Sequence, residues 1–136
     1  MKALFLDASG WYAALQPREA SHAQAREQLQ VAATSGVRLV TTSLVVAEMH
    51  AMFVRRTRAP AGQRFLDSAF DTGACEIDYP TRDTVVAARD RWIHKFQDHP
   101  ISLCDAVSFE VMRRERITHA LTIDRHFAIA GFEILG

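Results

Sequence analysis

The sequence predicts an α/β protein built on a central parallel sheet. Short apolar runs alternate along the chain with amphipathic segments, which is the pattern of strands joined by crossover helices. Turn-forming residues separate these segments, among them Gly36, Pro60 and the stretch 97–100. We expect four or five strands, at about 2–6, 37–41, 74–78, 118–122 and 132–135.

The amphipathic segments between these strands are predicted to form five helices. The first ends before Gly36, and the second runs to about Arg58. Ser and Thr are favoured just before a helix and Pro in its first turn, because they satisfy or spare the unpaired amides there. The predicted helix starts are a capping box at Ser21, the caps Ser43, Thr81 and Ser102, and Pro60.

Length and composition predict a single domain over residues 1–136. A chain of 136 residues, 49% of them hydrophobic, can bury a core without disulfide or metal staples. The 16 basic and 16 acidic side chains balance, although a neutral total can hide a local basic patch. With two cysteines, and no apolar run near the roughly 20 residues that span a bilayer, we expect a reduced, cytoplasmic protein without a membrane partner.

Four acidic residues stand in apolar surroundings, where an unpaired carboxylate is costly. Asp7 and Asp124 follow predicted strands, and Asp105 lies in the first turn of a predicted helix, so all three are expected near the carboxyl edge of the sheet. Glu48 has only apolar helix neighbours three and four residues away. It must be neutral, reach solvent in a cleft, pair with a distant base or bind a cation. The set of four favours a hard divalent cation.

Structural explanations remain open for three of the four acids. Asp7 and Asp124 could cap helices, and Asp105 could complete a capping box with Ser102. Other catalytic classes find less support. The six histidines and two cysteines show no zinc-ligand spacing, and there is neither a Gly-x-Ser-x-Gly frame nor a Gly-rich phosphate loop.

Four segments resemble the PIN-domain ribonucleases in their order and spacing. They are Leu-Asp7-Ala-Ser9-Gly-Trp-Tyr, Thr-Thr-Ser-x-x-x-x-Glu48, Ser102-Leu-Cys-Asp105-Ala-x-Ser-Phe and Leu-Thr122-Ile-Asp124-Arg-His-Phe. The resemblance spans nearly the whole chain and points to the single-domain prokaryotic branch that includes the VapC toxins. It implies a three-layer α/β/α fold, a divalent-metal site and RNA cleavage. One departure is Cys104, since Thr or Ser often precedes the third acid of this family.

The family's acidic quartet, carried over by position, falls on Asp7, Glu48, Asp105 and Asp124. We interpret Asp7 and Asp105 as direct ligands of Mg²⁺ or Mn²⁺, and Asp124 as a ligand of a second ion or one that acts through water. Glu48 is either a ligand or the group that orients the attacking water. The hydroxyl groups expected to support this quartet are those of Ser9 and Thr122.

Arginine side chains are the expected contacts to RNA phosphates. The candidates are Arg125 beside the fourth acid, the cluster Arg55, Arg56 and Arg58 at one helix end, and the cluster Arg113, Arg114 and Arg116 at another. Both clusters are explained equally well as basic helix ends that complement the helix dipole. His126, Trp11 and Tyr12 are interpreted as cleft-lining or core residues and not as catalytic groups.

The resemblance implies a Mg²⁺- or Mn²⁺-dependent endoribonuclease, with the toxin of a toxin–antitoxin pair as one role. Its implied partners are an RNA substrate, a cognate antitoxin and a second copy of the chain. The alternative is a non-catalytic module that binds RNA or a protein on the same fold, against which the intact quartet argues. A haloacid-dehalogenase-type phosphatase would need an aspartate at Ser9, and a receiver domain would need an acceptor aspartate after the third strand.

Overall fold

A five-stranded parallel sheet forms the centre of the computed structural model, which describes residues 1–134. Its spatial order is β3-β2-β1-β4-β5, and every adjacent pair is parallel, as predicted. The prediction for the last strand extends to residue 135, which lies outside the described residues. The strands are β1 (Ala3–Leu6), β2 (Arg38–Thr42), β3 (Glu76–Asp78), β4 (His119–Leu121) and β5 (Glu133–Ile134).

Helices connect these strands and include two, α1 and α7, that lie outside the predicted set. None of the helices in residues 1–134 combines the length and apolar character needed to span a membrane. The fourth predicted helix continues past α5 as a π-helical turn (Arg89–Ile93) before the loop at 97–100. The α-helices are α1 (Ala8–Leu15), α2 (His22–Thr34), α3 (Ser43–Arg56), α4 (Ala59–Asp71), α5 (Arg82–Ala88), α6 (Leu103–Glu115) and α7 (His126–Ile129).

The helix starts agree with the sequence in three cases and differ in two. Thr81 and Ser102 each accept a backbone hydrogen bond at the start of α5 and α6, and α4 opens at the predicted proline. Ser21 precedes α2 with ψ of 12° instead of the extended backbone that a cap needs, so the predicted capping box is wrong. Thr42, which is extended, caps α3 in place of Ser43.

The helices cover both faces of the sheet, which confirms the three-layer architecture. Leu6 of β1 faces Trp11 of α1 and Phe65 of α4. Phe5, on the opposite face, packs towards Phe127 of α7, with 6.4 Å between ring centroids. The chain moves from β1 to β3 in one direction and then crosses back to β4 and β5, so right-handed connections place α1–α4 on one face and α5–α7 on the other.

A close approach between α1 and β4 fixes the edge of the sheet where the chemistry is expected. A Cβ atom added to Gly10 would lie 2.3 Å from the carbonyl oxygen of Leu121, so no other residue fits there without displacing α1. The backbone amide of Asp7 donates to the same carbonyl at 3.2 Å. The carboxyl ends of β1 and β4 are therefore held side by side.

Candidate metal centre

Asp7 is the buried anchor of the site, with only 4% of its surface exposed. Its Oδ2 atom accepts hydrogen bonds from Ser9 Oγ at 2.9 Å and Thr122 Oγ1 at 2.7 Å. These two hydroxyls also accept from the backbone amides of Ile123 and Asp124, at 3.1 and 2.9 Å. Each hydroxyl thus links Asp7 to the loop after β4. Both protons are used on one oxygen, which leaves Oδ1 available for a cation.

Asp105 and Asp124 approach each other from α6 and from the loop after β4. The backbone amide of Asp105 donates to Ser102 Oγ at 3.0 Å. This bond is the half of a capping box in which Ser102 is the acceptor, and it does not use the carboxylate of Asp105. Asp124 Oδ1 accepts from the backbone amide of His126 at 2.9 Å. One ligand atom each from Asp105, Asp124 and His126 lies within 4.8 Å of the others.

Glu48 occupies the cleft beside this cluster, but its surroundings differ from the expectation. It is exposed, whereas Val45 and Met49 on the same helix are buried. Glu48 and Ser9 line one open cavity of about 360 Å³. The expectation of an apolar environment is therefore wrong for Glu48, because α3 turns this position towards the cleft. It follows the second of the four routes left open by the sequence, which is access to solvent.

The carboxylates of the site repel one another electrostatically. Burial raises the pKa of Asp7 to about 6; hydrogen bonds from Thr122 and Ser9 oppose this rise, while the charges of Glu48 and Asp124 add to it. Burial, followed by the charges of Asp7 and Asp124, raises the pKa of Asp105 to about 8. A divalent cation would remove this repulsion, and carboxylate oxygens are the ligands that hard cations prefer. The residues present therefore fit such an ion.

Cys104, the departure from the family pattern, is a half-buried thiol beside this charge cluster. Burial and the neighbouring Glu48 raise the pKa of Cys104. The thiol therefore stays protonated and adds no negative charge to the site.

The two arginine clusters occupy different places. Arg55 and Arg56 line the same cavity as Glu48. The guanidinium of Arg56 lies 5.5 Å from the ring centroid of Tyr12 and 3.8 Å from a carboxylate oxygen of Glu19, so its position is supported from two sides.

The second cluster lies at the end of α6 that is far from the acids. Helix α6 begins near the site at Ser102, and its 13 residues extend about 20 Å from there. Arg113 donates to Glu110 at 2.9 Å, and Arg114 donates to Asp78 at 2.6 Å. These two guanidinium groups stabilise the fold and are not placed to contact a ligand of the acidic cluster.

Single residues near the site are placed as follows. Arg125 is exposed at the start of α7, next to Asp124. Trp11 and Tyr12 are buried core residues. His126, which the sequence favoured only as a lining residue, lies at the acidic cluster. No spacing of histidines indicated this position, because its neighbour Asp105 comes from a distant helix.

The three-layer fold and its acidic edge define a PIN protein. The chain belongs to the PIN domain family, whose model matches residues 4–133. It is 27% identical over 129 residues to the "23S rRNA-specific endonuclease VapC20" of Mycobacterium tuberculosis, in both strain CDC 1551 and strain H37Rv, with 95% of each chain covered. The predicted likeness to VapC-type PIN proteins is confirmed.

Solved structures show the same relationship. The crystal structure of Mycobacterium tuberculosis VapC20, described as a toxin that cleaves the sarcin–ricin loop, matches with a TM-score of 0.84 and 26% identity, covering 96% of both chains. VapBC2 from Rickettsia felis, bound to a DNA fragment from its promoter, matches with a TM-score of 0.72 and 14% identity. That alignment covers 97% of this chain and 96% of the other, and it shows the shared fold.

Proposed function

We propose that this protein is an endoribonuclease that hydrolyses RNA phosphodiester bonds with a divalent cation, Mg²⁺ or Mn²⁺. Its nuclease class, expected from the sequence, is supported by membership of the PIN family and by the endonuclease VapC20 among its relatives. One observation carries the metal dependence: Asp7 and Asp105 are gathered with Asp124 in one place, and burial and mutual repulsion raise the pKa of both. A cation bound there would offset the repulsion between the carboxylates, and carboxylate oxygens are the ligands that Mg²⁺ and Mn²⁺ prefer.

In this proposal each member of the quartet has a distinct task. Asp7, through its free Oδ1, and Asp105 hold the cation, and Asp124 contributes a third carboxylate. Glu48 is exposed to the cleft and orients the attacking water. When bound, the cation lowers the pKa of a coordinated water and neutralises charge that develops on the phosphate. Ser9 and Thr122 position Asp7 through their hydrogen bonds.

The RNA is proposed to enter across the arginines on the near side of the cleft. Arg55 and Arg56 line the cavity that contains Glu48, and Arg125 is exposed beside Asp124. Guanidinium groups bind phosphate in two-pronged hydrogen bonds, which position a strand without reading its sequence. In this proposal the three arginines supply the positive charge on the substrate path, although Glu19 and Glu48 line the same cavity as Arg55 and Arg56.

A toxin role is part of the proposal, because the relative VapC20 is described as a toxin. Such a role implies a cognate antitoxin as a protein partner, a homodimer and a cytoplasmic location, as expected from the sequence. Co-expression with the product of a small neighbouring gene, followed by size-exclusion chromatography with light scattering, tests both the antitoxin and the dimer. A monomer that captures no such protein would contradict this part of the proposal.

RNA cleavage with a matched control tests the central proposal. The substrate is a hairpin with the sequence of the sarcin–ricin loop, chosen because VapC20 is described as cleaving it. Wild-type protein is expected to cut with Mn²⁺ or Mg²⁺ and to stop with EDTA. Asp7→Asn is expected to be inactive, whereas Asp67→Asn, which alters an exposed residue of α4, stays active.

Two results would contradict the proposal. Cleavage that survives EDTA would exclude the metal. If RNA of any kind is bound but never cut, the protein is instead the non-catalytic binding module kept as the alternative.

A further inference from the structure

His126 faces two carboxylates of the acidic cluster through one ring nitrogen. Its Nδ1 atom lies 3.2 Å from Asp124 Oδ1 and 3.9 Å from Asp105 Oδ2. The side chain is 22% exposed, so the ring is partly accessible to solvent. With its proton on Nδ1 the imidazole can donate to Asp124, whereas with its proton on Nε2 it directs a lone pair at both carboxylates, which is the arrangement of a metal ligand.

The position of His126 is fixed by its neighbours. Its backbone amide donates to Asp124 Oδ1 at 2.9 Å, and the next residue, Phe127, is fully buried. The Phe127 ring packs edge-on against Phe109 at 4.8 Å between centroids. Helix α7 is therefore anchored in the core. The imidazole of His126 is held against the cluster from one side while the ring of His99 lies 6.3 Å away on another.

The separations match those of ligands that share one ion. Metal–ligand bonds of about 2.1 Å allow two ligand atoms to be at most roughly 4.2 Å apart. Both distances from His126 Nδ1 to carboxylate oxygens fall below this limit. The distance to Asp124 is also at the long end for an N–H···O hydrogen bond.

We propose that His126 is a nitrogen ligand of the cation that Asp105 and Asp124 hold, and that it biases the site towards transition-metal ions over Mg²⁺. This inference rests on the proposed function only in assuming a divalent cation at the cluster. Mg²⁺ prefers oxygen ligands, whereas imidazole nitrogen strengthens binding along the series from Mn²⁺ to Co²⁺ and Ni²⁺. A site with carboxylates alone would discriminate less between these ions.

Metal binding without RNA gives a direct test. Protein without a polyhistidine tag is loaded with Mn²⁺, and pulsed electron paramagnetic resonance is used to detect magnetic coupling to a ¹⁴N nucleus. We expect the coupling in the wild type and in the control His94→Asn, which changes an exposed histidine. We expect its loss in His126→Asn, whose amide can still donate a hydrogen bond to Asp124.

Calorimetric affinities for Mg²⁺, Mn²⁺ and Co²⁺ provide the second readout. In His126→Asn the affinities for Mn²⁺ and Co²⁺ are expected to fall by about tenfold or more, while that for Mg²⁺ changes much less. An equal fall for all three ions would overturn the inference, because it would make His126 a positioning residue acting through Asp124. The absence of nitrogen coupling in the wild type would overturn it as well.

The two proposals fail in different ways. A protein that shows nitrogen coupling and metal discrimination but never cuts RNA would disprove the nuclease function and leave the ligand assignment intact. A protein that cuts RNA with Mn²⁺ but shows no nitrogen coupling would disprove the role of His126 and leave the nuclease function intact.

Discussion

Two of the acidic residues of helix α6, Asp105 and Glu110, meet opposite electrostatic surroundings five positions apart. Glu110 is 5% exposed and accepts hydrogen bonds from Arg91, Arg113 and the indole of Trp92, at 3.0, 2.9 and 3.1 Å. Burial favours the neutral form of Glu110, but the bonds from Arg113 and Trp92 outweigh it and lower the pKa. Burial and the neighbouring aspartates instead raise the pKa of Asp105 to about 8.

The difference shows which buried acids are free for chemistry. Glu110 has cationic partners from its own chain, so its charge is already neutralised and it can only stabilise the fold. Asp105 has acidic neighbours and is therefore suited to a cation from outside the chain. A carboxylate near an apolar core is informative about function only when the groups around it are known.

The largest expected effect is the loss of catalysis when an acidic residue of the proposed metal site is replaced. Asp105→Asn is expected to lower the cleavage rate by more than about 100-fold, because a proposed metal ligand is lost. Its free energy of unfolding without metal at pH 8 is expected to equal or exceed that of the wild type, since one repelling charge is gone. Initial cleavage rates and urea denaturation measure the two effects. Wild-type activity at equal metal concentration would exclude Asp105 from the site.

The reverse pattern is expected at Glu110. Glu110→Gln removes the charge that Arg91 and Arg113 pair with, and because both guanidinium groups are about half exposed, this should lower the free energy of unfolding by only about 1 kcal/mol. The folded fraction should still bind Mn²⁺ and cleave RNA at close to the wild-type rate. Denaturation curves and activity per folded molecule distinguish these effects. Loss of metal binding by well-folded Glu110→Gln would remove the contrast with Asp105.

The pH dependence of stability should separate the two kinds of carboxylate. In the folded protein Asp7 and Asp105 have pKa values of about 6 and about 8, whereas in the unfolded chain their pKa is about 4. Their protonated forms therefore stabilise the fold fully below pH 4, and this stabilisation is lost as the pH rises towards 8. For Asp7 the change is on the order of 3 kcal/mol. The pKa of Glu110 is lowered in the folded protein, so its charged form stabilises the fold, and this stabilisation is lost in acid.

Urea denaturation in EDTA at pH 5 and pH 8 measures this dependence. Saturating Mn²⁺ should restore stability at pH 8, because the ion binds the charged form of the site. Asp7→Asn should show a smaller decline between the two pH values. A metal-free protein that becomes more stable from pH 5 to pH 8 would contradict the proposed repulsion.

Glu48 represents a third case, an acid that reaches solvent. Glu48→Gln is expected to lower the cleavage rate by at least about tenfold, within the usual range for loss of a group that orients a proton transfer. Its melting temperature should stay within about one degree of the wild type, because the side chain is exposed. A large fall in melting temperature would instead identify Glu48 as a structural ion-pair partner.

The smallest expected effect concerns a single phosphate contact. Arg125→Ala should weaken RNA binding and reduce the slope of log affinity against log salt by about 0.7, the value for one phosphate of a single strand. Binding is measured across a salt series in Ca²⁺, which can fill an oxygen-ligand site. Arg26→Ala, at an exposed position of α2, is the control. An unchanged slope in Arg125→Ala would leave Arg55 and Arg56 as the proposed contacts.

The strands could be predicted from sequence because apolar runs are local signals, but α1 could not. Its first residues after Asp7 are small or aromatic and include Gly10, which disfavours a helix. The glycine is required by the backbone of β4, at Leu121, more than a hundred residues away in sequence. No local pattern contains that contact.

The same limit applies to the site. The positions of Asp7 and Asp124 at strand ends could be predicted, because parallel strands place their carboxyl ends at one edge. The exposure of Glu48 could not, since its apolar helix neighbours indicate how α3 packs but not where a cleft opens. The place of His126 at the acidic cluster could not be predicted for a similar reason, because its neighbour Asp105 belongs to another element.

The hydrogen bond between Asp7 and Thr122 joins residues 115 positions apart in the chain. At a synthesis rate of about 5–20 residues per second, the ribosome adds Thr122 roughly ten seconds after Asp7. During this interval the nascent chain has its first acidic group but neither Asp124 nor the loop that orients Asp7. The proposed site therefore cannot assemble until β4 and the loop after it have been synthesised, and a translation product that stops before β4 lacks both Thr122 and Asp124.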